Sequence, residues 1–190
     1  MNMLYVLIAV GVVVVVFFLW AIASYNSLVA LGQGVKTARA QIDVLLKRRY
    51  DLIPNLVETV KGYAGHEKGT LEAVIAARNQ AVTASAGGDA SKVGQAEAQL
   101  SGAVRQIFAL SEAYPDLKAN QNFMQLQGEL ANTENQIAGG GGSFNNVVQD
   151  YNTKLMSFPT NLIAGMFGFR AEPFFELTNP TEREAPKVKF

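Results

Sequence analysis

The sequence predicts an all-α protein with a single N-terminal transmembrane helix, an elongated antiparallel four-helix bundle and an aromatic-rich C-terminal strap. A long uncharged apolar run opens the chain. Apolar residues then recur at three- and four-residue steps, which is the spacing of one helix face, and no proline interrupts residues 55–114 or 116–158. We therefore predict an anchor over 1–24, a bundle over 25–158 and a C-terminal segment over 159–190.

Composition excludes several classes of function. The chain has 190 residues, 16 Lys and Arg against 16 Asp and Glu, no cysteine and one histidine, His66. A neutral chain lacks the basic surface that nucleic-acid binding needs. Without cysteine there are no disulfides, Fe–S clusters, thiolate zinc sites or cysteine nucleophiles, and one histidine cannot build a His-rich metal centre. We expect no cofactor and no nucleic-acid partner.

The predicted anchor is the uncharged run from Met3 to Ala23, which includes Gly11. Its 21 residues suffice, because about 20 apolar helical residues cross a bilayer core. Tyr5 and Trp20 lie near its two ends, where aromatic rings prefer the membrane interface. The lipid bilayer is therefore a predicted partner.

The residues that flank the anchor bear on its cleavage and on its orientation in the membrane. Residues 21–23 resemble a signal-peptide cleavage site, so release of the N-terminus after Ala23 is an alternative. We favour an uncleaved anchor, because a signal peptide has a positively charged region before its apolar run and no Lys or Arg precedes this one. Lys36 and Arg39 follow the span, so the positive-inside rule favours a cytoplasmic domain on a single-pass protein of the bacterial cytoplasmic (inner) membrane.

Four helical stripes follow the anchor. The first shifts its phase at Pro54, which cannot donate to the carbonyl of Tyr50, so a kink or a break is expected there. Asp51 could cap a new helix, but we predict one long kinked helix because no loop residues separate the two halves. Gly65 and Gly69 bracket a turn, and residues 87–89 end the second helix and cap the third. The first stripe contains Leu28, Leu31, Val35, Ala38, Ile42, Leu45, Ile53, Leu56, Val60 and Tyr63.

The fourth stripe is the longest and contains four consecutive glycines, Gly139–Gly142. Each glycine costs about 1 kcal/mol in a helix interior relative to alanine. Ile137 and Phe144 nevertheless stay one heptad apart, so we predict a continuous helix held by packing. Pro115 stops the third helix, and Asp116 is the predicted cap of the fourth. The stripe contains Phe123, Leu126, Leu130, Thr133, Ile137, Phe144, Val147, Tyr151, Leu155 and Phe158.

Three stretches closely resemble the LemA family of bacterial membrane proteins: residues 41–57 (QIDVLLKRRYDLIPNLV), residues 129–138 (ELANTENQIA), and Asp150-Tyr151-Asn152 with the phenylalanine-containing motifs that follow it. The resemblance covers nearly the whole chain. It implies a single N-terminal membrane helix and an antiparallel helical bundle, and it brings no established enzymatic activity. The glycine run departs from the family, which usually has basic residues there.

The charged residues of the sequence indicate a solvated helix face and one buried arginine. We interpret residues 47–51 as a solvated helix face, except that Arg49 lies at a seam position, where a buried guanidinium needs a carboxylate from Glu129 or Glu134. Those two glutamates lie about 140° apart on a helix and form no pair by themselves. His66 has no second ligand or nucleophile nearby, which leaves no catalytic constellation. We expect no catalytic residue, no metal site and no enzymatic activity.

The C-terminal segment is unusually aromatic, and we predict an interaction surface of Phe158, Phe167, Phe169, Arg170, Phe174 and Phe175, because so many exposed rings contact something. Chain reversals should return this segment to the membrane-proximal end. We therefore predict a membrane-anchored scaffold that self-associates, as a homo-oligomer, and organises partners at the membrane, with an unknown membrane protein among them. The alternative is a small-molecule- or metal-binding bundle, or an enzyme, that uses core carboxylates.

Overall fold

The computed structural model describes residues 3–176, and the last 14 residues of the predicted C-terminal segment, 177–190, lie outside the described residues. Every regular element in the described part is a helix, which confirms the all-α prediction. The elements are α1 (Met3–Ala64), α2 (Lys68–Gly87), α3 (Ala90–Ser111), α4 (Pro115–Lys118), α5 (Gln121–Met156) and α6 (Thr160–Phe167).

The described chain divides into two units. The first unit comprises residues 3–38 and 146–172, and the second comprises 39–145 and 173–176. Helices α1 and α5 each contribute to both units, so the N-terminal part of α1 and the C-terminal part of α5 belong to the first.

The first unit has a small apolar core next to a bare apolar helix. Leu28 on α1 is buried with Ile163 and Ala164 of α6, and Trp20 packs against this cluster. N-terminal to it, the apolar side chains of α1 are exposed, and α1 is the one helix of residues 3–176 that is long and apolar enough to cross a bilayer.

Helix α6 was not predicted, since the sequence indicated only a strap there. Its eight residues are too few for a periodic signal. The available sign was Gly168, which ends α6 in a left-handed conformation with φ 74° and is the usual C-terminal helix signal.

In the second unit, the buried face of α1 repeats every seven residues. Ile42, Arg49 and Leu56 form one row, and a parallel row contains Leu46, Ile53 and Val60. Two positions of the predicted stripe differ: Leu45 is half-buried and Tyr63 is 44% exposed. The heptad rows run unbroken past Pro54, whereas the predicted stripe shifted at that residue.

Pro54 lies inside α1 without ending it. Proline has no N–H to donate to the carbonyl four residues earlier, which belongs to Tyr50. The Nε of Arg78, on α2, donates to that carbonyl oxygen at 2.9 Å. A side chain from the neighbouring helix thereby satisfies the acceptor that the proline leaves open.

The turn between α2 and α3 has the predicted caps, whereas the cap before α5 differs from the prediction. Gly88 adopts φ 77° after α2, and Asp89 caps α3 by accepting from the backbone N–H groups of Ser91 and Lys92. Before α5 the expected cap Asp116 is wrong, because Pro115 starts the short helix α4 and Asp116 lies in it. Asn120 takes the capping role, and its Oδ1 accepts from the N–H of Phe123 at 3.0 Å.

Helix α5 continues through all four glycines, as predicted. The glycines permit close packing in the second unit. A Cβ on Gly141 would lie 2.8 Å from the ring of Phe175, and one on Gly140 would lie 3.6 Å from both Ile42 and Leu45. Real Cβ atoms essentially never approach within 3.0 Å, so any side chain at position 141 would displace the aromatic ring.

We expect the cost of Arg78→Met to depend on Pro54. In the wild type the substitution orphans the carbonyl of Tyr50 and should lower the free energy of unfolding by about 1–3 kcal/mol. In a Pro54→Ala background the restored N–H can donate to that carbonyl, so the same substitution should cost distinctly less. Denaturant unfolding of the four chains of this double-mutant cycle measures the difference, and equal costs in both backgrounds would show that Arg78 does not serve this carbonyl.

Candidate functional site

The guanidinium of Arg49, on α1, is a buried charged group of the second unit. Its side chain is 1% exposed. The Nη1 donates to Oε2 of Glu97 on α3 at 2.9 Å. The Nη2 donates to Oε2 of Glu134 on α5 at 2.9 Å and to the Oγ of Ser101 at 2.8 Å. One cation thus binds groups from α3 and α5 at once.

The carboxylates are themselves held by further donors. Tyr50 donates its hydroxyl to Oε1 of Glu97 at 2.5 Å, and Ser101 donates to Oε1 of Glu134 at 2.8 Å. We call Arg49, Tyr50, Glu97, Ser101 and Glu134 the Arg49 network. Its two carboxylates and one guanidinium give a formal charge of −1 when both acids are ionised. Glu134 is 44% exposed and Glu97 is fully buried. The negative charge of the network is therefore least hydrated, and most costly, on Glu97.

Burial shifts the pKa values of Glu97 and Tyr50 in this network. Loss of hydration raises the pKa of Glu97 above the ordinary glutamate value, although Arg49 opposes the change. Burial also raises the pKa of the Tyr50 hydroxyl, and the nearby negative charge of Glu97 raises that pKa further. Tyr50 therefore stays a hydrogen-bond donor, and its geometry indicates support of a buried carboxylate rather than proton exchange with solvent.

The predicted partners of Arg49 separate in the structure. Glu134 contacts Arg49, whereas Glu129 lies 3.9 Å from Arg48, in a half-exposed pair. Sequence reasoning missed Glu97, which is fully buried. The spacing of α3 was the available signal. Glu97 lies on the same helix face as Ser101 and Val104, and small and apolar neighbours of this kind are typical of a buried face.

Lys47, Asp51 and His66 lie at the surface. Lys47 and Asp51 pair at 2.6 Å with both side chains exposed, and His66 is exposed in the turn after α1. Within residues 3–176, no group of three or more His, Asp or Glu side chains could hold a metal ion.

The predicted aromatic surface divides into exposed and buried residues. Phe158 is 80% exposed and Phe167 60%, and Phe174 and Arg170 are exposed as well. Phe169 is half-buried, with its ring 5.7 Å from that of Tyr25.

Phe175 corrects the prediction, because it is 5% exposed and therefore belongs to the core of the second unit. The ring packs over Gly141. The absence of a side chain at this position of the glycine run leaves room for the ring.

The segment after α6 is held by asparagine side chains through its backbone. In the first unit, Asn152 donates to the carbonyl of Glu172 and accepts from its N–H, both at 2.9 Å. In the second unit, Asn145 makes the same pair of bonds with Phe175 at 2.8 Å. Each side-chain amide thus pairs with both backbone polar groups of one residue outside the helices, so it recognises the backbone and not the side chain.

The predicted anchor residues lie on the N-terminal part of α1. Met3, Tyr5, Gly11 and Ala23 are exposed, and Trp20 is half-buried against the Leu28 cluster. No atom of residues 3–176 outside α1 and the glycine's neighbours lies within 4 Å of a Cβ placed on Gly11. Within the described residues, this part of α1 therefore presents exposed apolar side chains.

These features define a class: all-helical proteins with an N-terminal helix able to cross a membrane and a helical unit built around a buried ionic network. The chain belongs to the LemA family, whose profile matches residues 38–190.

Curated relatives include magnetosome protein MamQ 2 of Paramagnetospirillum magneticum, 23% identical over 86% of this chain and 68% of the relative. MamQ of Magnetospirillum gryphiswaldense is 22% identical over 89% and 71%. Protein LemA of Metamycoplasma hominis is 25% identical over 78% and 67%.

We expect Arg49→Met to lower the free energy of unfolding by about 3–5 kcal/mol, because it leaves Glu97 buried without its cation. Adding Glu97→Gln should recover part of that loss, since it removes the unpaired charge. The neighbouring Arg48→Met is the matched control and should cost under about 0.5 kcal/mol, as exposed pairs do. Denaturant unfolding in mild detergent measures all three chains, and a wild-type stability for Arg49→Met would contradict the assignment.

Proposed function

We propose that this protein is a membrane-anchored helical scaffold that self-associates and organises partners at the membrane, without catalytic activity of its own. The observation that carries the proposal is the exposed apolar surface of the first unit. It begins along the N-terminal part of α1 and continues on Met166 and Phe167 of α6. A soluble monomer rarely exposes an apolar surface of this extent.

The membrane is the first partner in this proposal. The exposed part of α1 has the length and composition of a bilayer span. Residues 21–23 lie within the continuous helix α1, and Ala21 packs against the Leu28 cluster, which supports retention of the anchor over cleavage after Ala23. Lys36 and Arg39 favour a cytoplasmic location for the second unit.

The second unit is proposed to be an antiparallel four-helix bundle that gives the scaffold its rigidity. Both carboxylates of the Arg49 network are engaged by Arg49, Tyr50 and Ser101. Carboxylates engaged in this way support a structural role, because general acid–base catalysis needs a group that can reach a substrate proton.

Self-association is proposed to bring anchors together. Gly11 and the nearby Ala9 allow close approach of neighbouring helices, and the space beside Gly11 is open. Mass photometry of the full chain in mild detergent tests this. The expected result is one homo-oligomeric species, and a monodisperse monomer would overturn the proposal.

Two variants locate the contact. Gly11→Leu should shift the particle towards smaller masses, because the added side chain separates the anchors. Gly62→Leu is the matched control on the same helix, since the position beside Gly62 is also open, and it should leave the mass unchanged. A loss of assembly in the control alone would place the contact away from the anchor.

One observation supports a second candidate, a small-molecule site in the second unit. Within residues 3–176, the Nε of Arg49 is buried and has no hydrogen-bond partner. A cavity of about 240 Å³ borders Arg49, Ser101, Arg105, Glu134 and Asn135. Native mass spectrometry of the purified chain distinguishes the candidates. A stoichiometric small molecule that is lost in Arg49→Met would favour ligand binding over a purely structural network.

A further inference from the structure

We propose that the first unit holds the acyl chain of a membrane phospholipid in a groove between α1 and α6. This inference rests on the proposed membrane anchoring and adds a specific lipid site to it. The groove has a volume of about 390 Å³, within the about 300–1,000 Å³ of pockets that bind small molecules. One wall is Phe17, Phe18, Ala21 and Ile22 of α1, and the other includes Met166 and Phe167 of α6.

The position of the groove identifies its occupant. The α1 wall belongs to the same uncharged run that is long enough to cross a bilayer. A groove whose wall is the end of a membrane span opens at the edge of the hydrocarbon region, where acyl chains are the most abundant apolar molecules. The lining side chains present carbon atoms almost throughout, which suits an alkyl chain and offers no hydrogen bonds to a polar ligand.

The polar boundary of the groove matches a membrane interface. Tyr25 lines the groove as well, with its ring edge-on to Phe167 at a centroid separation of 4.8 Å. Tyrosine rings are enriched at the membrane–water boundary. Arg170, exposed three residues after Phe167, can extend its charge to the headgroups while its stem stays in apolar surroundings.

The outer face of α6 extends the same apolar surface. Leu162 and Met166, one helical turn apart, are 56% and 78% exposed. Asn161 is also exposed but lies about 100° around the helix from Leu162. We therefore infer that α6 lies in the membrane interface, with Leu162 and Met166 towards the acyl region and Asn161 towards water.

Site-specific labels test this directly, because the chain has no cysteine. Met166→Cys, Leu162→Cys and the matched control Asn161→Cys are each labelled with an environment-sensitive fluorophore and reconstituted as full chains in phosphatidylcholine vesicles. Part of the lipid carries a nitroxide on the acyl chain. The labels at 162 and 166 should show blue-shifted emission and quenching about twofold or more stronger than at 161.

Three other results overturn the proposal in distinguishable ways. Labels at 162 and 166 that resemble the label at 161, in chains that still float with the vesicles, reject the lipid groove while leaving the anchor in place. Chains that fail to float reject the anchor as well. A blue-shifted but unquenched label at 166, with energy transfer between labelled chains, assigns the groove to a second copy of this chain instead.

Discussion

The burial of Arg49 is the constraint on which the second unit depends. A guanidinium cannot lose its charge in a protein, so α1 can bury this residue only where other helices bring acceptors to it. Glu97 and Ser101 of α3 and Glu134 of α5 supply them. Apolar packing alone tolerates sliding of one helix along another, whereas this network fixes which residues of α1, α3 and α5 lie at the same level. We interpret it as a device for register, obtained at a cost in stability.

Backbone satisfaction explains several features that apolar patterns do not. Arg78 donates to the carbonyl left without a donor by Pro54, and Asn145 and Asn152 bind the backbone of residues that lie outside the helices. Two glycines, which have no side chain, leave space for neighbouring residues to pack closely. Gly141 makes room for Phe175, and a side chain on Gly94 of α3 would collide with the backbone of Glu176. Asn145, Gly141 and Gly94 thus determine where residues 175 and 176 lie in the second unit.

Much of the fold was accessible from the sequence, and the reasons for the exceptions are physical. Periodicity predicted the continuity of α5 across its glycines, because the apolar residues on both sides keep one phase. The continuity of α1 past Pro54 was predicted from the absence of loop residues there. Periodicity could not predict α6, which is too short, nor the core position of Phe175, which depends on a glycine distant in sequence. Two of the five residues of the Arg49 network, Arg49 and Glu134, were predictable, since a buried arginine requires a carboxylate. Glu97 was missed because an acidic residue beside an apolar stripe is ordinarily solvated, and only three-dimensional proximity to Arg49 and Tyr50 explains its burial.

The protonation of Glu97 tests the central claim that the network costs stability while it fixes register. A carboxyl whose pKa is raised on folding stabilises the protein below its unfolded pKa, about 4.3, and that contribution is lost as pH rises through the folded pKa. The measurement is the free energy of unfolding of the wild type and of Glu97→Gln between pH 4 and pH 8. The account predicts that the wild type loses stability relative to the variant as pH rises through this window. A relative gain would mean that attraction to Arg49 outweighs the burial of Glu97, and would contradict it.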